Sequence, residues 1–240
     1  MNFEIIEKLN VFNSIKFDEE PHLYTRGGQN LISVTTIIKK YEPEKDWDEI
    51  ATRYAIKNFM DKDEVLDMWA KERDLGASKG SEFHKFVELW YANKLHTPNY
   101  EVMPKKLESM FYTFWMASNP HLIPVRSEFI VASEKVAGMI DMLFWNTKMQ
   151  ELQIWDWKTN KKIATHNKYQ SFTGPLSHLD ECEYNKYSLQ LSTYKYIFEK
   201  YVGIPIGNCY IGWFFDGNNE YKLFKTRDLT KEAELILNAA

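Results

Sequence analysis

The sequence predicts a mixed α/β (or α+β) fold in which a central mixed β-sheet is flanked by helices, with an N-terminal helical lobe in front of it. Three observations carry that expectation. Residues 34–120 read as mainly helical. Three apolar runs, IPVRSEFIVA, KVAGMIDMLFW and ELQIWDWK, then follow one another across short polar connections and read as consecutive antiparallel strands. A helical stretch and a further strand pair close the chain, and the order helices, strands, helix, strands is that of an α+β or α/β core. At 240 residues the chain is expected to form a single domain, 1–240. Its sheet core spans 121–228 and includes a helix over 185–201.

The elements follow in order. Ile15, Phe17, Tyr24 and Leu31 are apolar points around a Gly27-Gly28 turn, which reads as a hairpin. Ser33 is placed to cap a helix beginning VTTIIKKY. Helical stretches follow over about 48–59 and from Asp63 towards Leu95, the second with glycines inside it. Pro104 is expected in the first turn of the helix KKLESMFYTFWMA. After the three strands, residues 159–183 form a polar connection with no clear period, and a connection that long is more often functional than idle. The segments IGNCYIGWFF and EYKLFKT pair around Asp216-Gly217-Asn218-Asn219, and a last helix starts near Leu229.

Composition excludes several classes. Lys and Arg number 30 against 34 Asp and Glu, a net charge of −4, which argues weakly against a generic nucleic-acid coat. No apolar run is long enough to span a membrane, and the N-terminus lacks the basic start and apolar core of a signal peptide. Two cysteines, Cys182 and Cys209, cannot make a disulfide framework, a four-cysteine zinc site or an iron–sulfur cluster. A reducing, cytoplasmic setting is expected.

Candidate chemistry collects at four places. In Trp155-Asp156-Trp157-Lys158, strand alternation puts Asp156 and Lys158 on one face and the two tryptophans on the other. That pair is either a salt-bridged strand end or a metal ligand beside a cationic group. Asp141 interrupts an otherwise apolar strand after Gly138. A buried carboxylate needs a partner or a metal, and with Asp156 nearby it offers oxygen ligands to Mg²⁺ or Mn²⁺. Gly76, Gly80 and His84 recur every four residues, on one helix face, with Glu88 one turn on. Glycines there cost roughly 1 kcal/mol each relative to Ala and make sense where a backbone or ligand comes close. Tyr187, Gln190 and Tyr194 share a face of the later helix, as core or as hydrogen-bonding groups. Beyond these, Lys158, Lys161, Lys162 and Lys168 lie in an acid-free stretch with Tyr169 and Phe172 interleaved. It reads as a solvated loop or as a nucleic-acid groove of lysines and stacking aromatics.

Taken in order, Gly-x-x-x-His, Gly-x-x-Asp, Asp-x-Lys and Gln-x-x-x-Tyr resemble the RecB-like branch of the PD-(D/E)XK nuclease superfamily. The lead-in Ser33-Val34-Thr35 and Pro175-Leu176 resemble the phage, viral and mitochondrial genome-maintenance exonucleases within it. The likeness covers roughly residues 33–201. It implies a restriction-endonuclease-like core and a metal-dependent DNA exonuclease acting in recombination, replication or repair. Single-stranded DNA or free ends are the implied substrate, the helical lobe in relatives forming an arch that threads a strand. It implies one or two Mg²⁺ or Mn²⁺ ions held by His84, Asp141, Asp156 and the backbone carbonyl of Trp157. Lys158 stands in the place of the catalytic lysine, and Gln190 and Tyr194 in the motif that orients it or the DNA. Glu128 falls where relatives often carry a strand Glu, and with Glu88 it is a possible additional ligand. Arg73, Lys161, Lys162, Lys168, Tyr169 and Phe172 are the expected nucleic-acid contacts. A non-catalytic nucleic-acid-binding module on the same fold and a structure-specific endonuclease are the alternatives. The four cysteines of the iron–sulfur relatives are missing, so no such cluster is expected. No membrane contact is expected, and a replication or recombination protein partner is left open without being identified.

Overall fold

The computed structural model describes residues 7–92 and 101–240. Leu95, the expected end of the long helix, lies outside them. The chain folds into a mixed α/β architecture around one eight-stranded sheet. A 3-10 turn at Leu9–Phe12 leads into β1 (Ile15–Asp18), β2 (Leu23–Arg26) and β3 (Gln29–Ser33). These three form an antiparallel meander rather than a lone hairpin, with Gly27 and Gly28 both at positive φ in the β2–β3 turn. Ser33 caps α1 (Val34–Lys39) as expected, its hydroxyl accepting from the Thr36 amide at 3.1 Å.

Helix α2 (Trp47–Asn58) is capped by Asp46 and ends at Phe59 in the left-handed conformation. Helix α3 (Lys62–Tyr91) is capped by Asp61, with Asp63 and Glu64 placed favourably for the helix dipole in its first turn. Helix α4 (Lys105–Ser118) follows. Pro104 is its N-cap, in extended conformation, and not a first-turn residue. The sheet core is β4 (Leu122–Ala132), β5 (Val136–Asn146) and β6 (Glu151–Lys158), antiparallel as predicted. Helix α5 (Glu183–Val202) then carries the chain across to β7 (Ile206–Trp213), which pairs parallel with β6, a crossing that needs such a connection. Strand β8 (Lys222–Lys225) pairs antiparallel with β7, and α6 (Thr230–Asn238) closes the chain.

Strand alternation divides the interior in two. Leu152 and Ile154 of β6 enter a core built with α1, α5 and α6. Trp155 and Trp157 enter an aromatic core with Phe83 and Phe86 of α3 and Phe111 and Phe114 of α4. Each fully buried side chain of that size stabilises by about 1.5–3 kcal/mol relative to exposure. The C-terminal half of α3 thus belongs to the sheet's packing, whereas α2 and the start of α3 form a small cluster of their own around Ala51, Ala55 and Val65.

Strand β5 decides where the site lies. One of its edges is taken by β4 along nearly its whole length. The other edge is shared: β3 pairs in parallel at Val136 and Ala137, and β6 pairs only from Met142 onward. Residues 138–141 therefore stand in a wedge between β3 and the diverging end of β6. The connection 159–183 is more ordered than its polarity suggested, with Ile163, Phe172, Leu176 and Leu179 buried. Among the described residues no helix is long and apolar enough to cross a membrane, and both cysteines are buried and free.

Candidate active site in the sheet wedge

The wedge opens into a cavity of about 570 Å³ whose wall carries His84, Glu88, Glu128, Asp141, Asp156, Lys158, Gln190 and Tyr194. These come from α3, β4, β5, β6 and α5, so the tertiary structure converges residues from five elements. His84 faces two partners: its Nε2 is 2.9 Å from the Trp157 carbonyl and its Nδ1 is 3.6 Å from Asp141 Oδ2. With Nε2 donating to the carbonyl, Nδ1 presents a lone pair towards a carboxylate oxygen. Two acceptors in that arrangement call for positive charge between them. The Trp157 amide donates to Asp141 Oδ2 at 2.7 Å and fixes that carboxylate across the wedge.

Asp156 and Lys158 share a face of β6, as alternation requires. Lys158 Nζ lies 2.5 Å from Asp156 Oδ2, a buried ion pair. Burial works against the Lys158 ammonium, but the charges of Asp156 and Asp141 outweigh it and hold the amine protonated. Its ammonium also sits 4.8 Å from the ring centroid of Tyr187, a cation–π contact. Burial raises the Asp156 pKa against the opposing effect of Lys158.

Glu128 is more central than its sequence reading implied. Ser127 pairs with Met142 and Phe129 with Ile140, so Glu128 stands opposite Asp141. Its backbone is left-handed, φ 46°, which costs a non-glycine residue on the order of 1–2 kcal/mol. One ligand atom each of His84, Glu128 and Asp141 lies within 4.8 Å of the others. Burial, then the charges of Asp141 and Glu88, push the Glu128 carboxyl up to about 9. An imidazole with two converging carboxylates, and a third carboxylate, Asp156, on the same cavity wall, is a set of ligands that fits a hard divalent cation.

On the α5 side, Gln190 donates to the Tyr194 hydroxyl at 2.9 Å. Tyr194 crosses Gly138 so closely that a Cβ there would lie 2.3 Å from its ring, which accounts for the glycine three residues before Asp141. Gly138→Ala is expected to destabilise the fold by about 1–3 kcal/mol. It should lower the urea midpoint at unchanged m-value, and the loss should largely vanish in a Tyr194→Ala background. An unchanged midpoint would refute the contact.

Other expected site residues fall elsewhere. Phe172 is 2% exposed and packs in the core beside α5, so its assignment as a base-stacking residue is corrected: an aromatic in a polar connection folded inward because the connection itself needs an apolar anchor. Arg73 is exposed, paired to Asp74 at 3.0 Å, and does not line the cavity. Lys161, Lys162, Lys168 and Tyr169 are exposed and outside it. Gly76 has no neighbouring atom within 4 Å of a would-be Cβ, and at Gly80 only Thr159 approaches, at an ordinary 3.5 Å. The close approach expected along that helix face is therefore absent at Gly76 among the described residues. Sequence reasoning singled out Tyr187 but not its place beneath Lys158, and it missed the rim contributed by the β1–β2 region. The Tyr187–Tyr194 stripe was a signal for the first, and the second had none, because Phe17 and Tyr24 read as plain strand apolars.

Comparison with known proteins adds little. No family model and no curated protein matches the sequence. A solved structure described as "Crystal structure of SSO0001" aligns over 99% of this chain and 81% of its own, at 13% identity and a TM-score of 0.35.

Proposed function

We propose that the protein is a divalent-metal-dependent deoxyribonuclease of the PD-(D/E)XK type. Its substrate is single-stranded DNA or DNA ends, digested as an exonuclease in recombination, replication or repair. The observation that carries the reading is the convergence of Asp141, Asp156, Lys158 and His84, from separate stretches of sequence, on one cavity with Gln190 and Tyr194.

His84, Glu128, Asp141 and Asp156 are the residues that would hold the cation. A Mg²⁺ or Mn²⁺ ion bound there supplies a lowered water pKa and neutralisation of phosphate charge. Lys158 contributes a fixed positive charge, positioned by Asp156 and Tyr187, to stabilise negative charge developing on the phosphate. The Trp157 amide keeps Asp141 from rotating. The Gln190–Tyr194 bond holds the opposite wall, and fixed geometry of this kind is worth several kcal/mol in phosphoryl chemistry.

Labelled single- and double-stranded DNA incubated with Mn²⁺ or Mg²⁺ is expected to be cleaved, and EDTA to stop it. A circular single strand is expected to survive. Cutting of the circle would make the protein an endonuclease. DNA binding that persists in EDTA with no product in metal would make it a binding module. The exposed lysines are expected to act outside the cavity. Replacing Lys161, Lys162 and Lys168 together by Ala should weaken binding to single strands of any sequence and reduce the salt dependence, d log K/d log[salt], by about 2 in magnitude. An unchanged slope would remove them from the interface.

A further inference from the structure

We infer that the β1–β2 turn forms a nucleobase-stacking subsite on the rim of the cavity, with His22 as its outer ring and Phe17 bracing it edge-to-face. This inference rests on the proposed nuclease reading and adds the part of the substrate that the rim would hold.

The three aromatic rings of the turn grade from buried to exposed. Tyr24 is buried, Phe17 half-buried and His22 exposed. The Phe17 and Tyr24 centroids are 4.6 Å apart at 32°, and the His22 ring meets Phe17 edge-to-face at 5.0 Å. All three line the cavity that holds His84 and Asp141. His22 reaches this place through a left-handed backbone, φ 49°, which Gly or Asn would adopt at lower cost. A left-handed residue that sets an exposed ring edge-to-face against another, at the mouth of a site, points to a ligand for the ring.

Charge argues for stacking rather than phosphate contact on this side. Glu19 and Glu88 line the rim, and the nearby Lys85 is committed to Glu88 at 2.7 Å. Among the described residues, Lys85 and Lys158 are the lysines that line the cavity, and each is paired to a carboxylate, whereas an aromatic face accepts any base through its π-surface irrespective of sequence. The cavity volume of about 570 Å³ lies in the range of sites that enclose a small ligand, enough for a nucleotide unit with its base against the rim.

The test uses the full chain and short single strands that carry either a normal nucleotide or an abasic residue at successive positions from the end. Loss of the base at one position is expected to lower kcat/KM about 10-fold in the wild type, in line with stacking energies measured per base. His22→Ala should show the same loss on the normal strand and little more on the abasic one, while His22→Tyr should restore the wild-type pattern. Additive losses, or no loss in His22→Ala, would overturn the subsite. His22 is exposed, so its replacement leaves folding intact. Should no strand be cleaved at all, the nuclease reading fails separately, and binding in EDTA of a strand with 2-aminopurine at each position in turn decides the subsite. Fluorescence quenched by the wild type at one position but not by His22→Ala supports it, and equal quenching refutes it.

Discussion

Asp156→Ala and Lys158→Ala are each expected to reduce metal-dependent cleavage of end-labelled DNA by about 10²–10³-fold or more, the scale of losing one electrostatic group aimed at a transition state. Asp156 is 3% exposed at its side chain and Lys158 19%, so the pair stands in a low-dielectric setting where its charges count most. Removing either member also leaves the other charge buried and uncompensated, which costs about 3–5 kcal/mol in comparable buried pairs. Stability must therefore be separated from chemistry. Asp156→Asn keeps the shape but not the charge, so it is expected to lose stability too, though less than Asp156→Ala because no cavity forms, and to cleave as poorly as Asp156→Ala at a temperature where both remain folded. Lys158→Arg keeps the charge but replaces a compact ammonium over Tyr187 by a planar fork, and should recover only part of the rate. Full activity in folded Asp156→Ala or Lys158→Ala would end the nuclease assignment.

The second large effect concerns Glu128 and is independent of substrate. Its carboxyl ordinarily titrates near 4.5 and is pushed up to about 9 in the folded chain, chiefly by burial and then by Asp141 and Glu88. Between those values the folded protein keeps a proton that the unfolded chain has released, so this group makes stability fall as pH rises through that window. Glu128→Gln removes the titration. In EDTA the variant is expected to melt above the wild type, by a margin that widens from pH 5 to pH 9. Divalent cation reverses the order. Mn²⁺ at 100 times its Kd would add about 2.7 kcal/mol to a protein that binds it only when folded, and the variant, lacking one ligand, should gain much less. Binding should also strengthen with pH, because the ion must displace the Glu128 proton. A melting difference constant across pH, with equal Mn²⁺ shifts in both proteins, would show that Glu128 neither carries that proton nor binds metal.

Much of the site was legible because its residues violate their local pattern. Asp141 sits in an apolar strand and Asp156 between two tryptophans. Burying a carboxylate in such company is costly enough that the sequence alone demands a partner. Glu128 in IPVRSEFIVA obeys the same logic, and its weight became clear only when the register set it opposite Asp141. Phe172 misled because an aromatic among lysines reads equally as a stacking surface or as an anchor, and packing chose the anchor. His22 gave no signal: its role depends on a positive φ and on a ring two strands' width from the sequence motifs.

By itself the sequence determined what short-range physics controls. Helix caps such as Ser33 and the period-2 faces of β6 follow from neighbours a few residues apart. The tertiary structure decided which strands share an edge of β5. Val136 pairs with Ile32, more than 100 positions away, and β6 leaves β5 before Asp141. That divergence opens the wedge, sets His84 of a distant helix against the Trp157 carbonyl, and turns separated acids into one cavity. Pairing at such separation is settled by loop closure and by the packing of both cores together, and no local propensity encodes it.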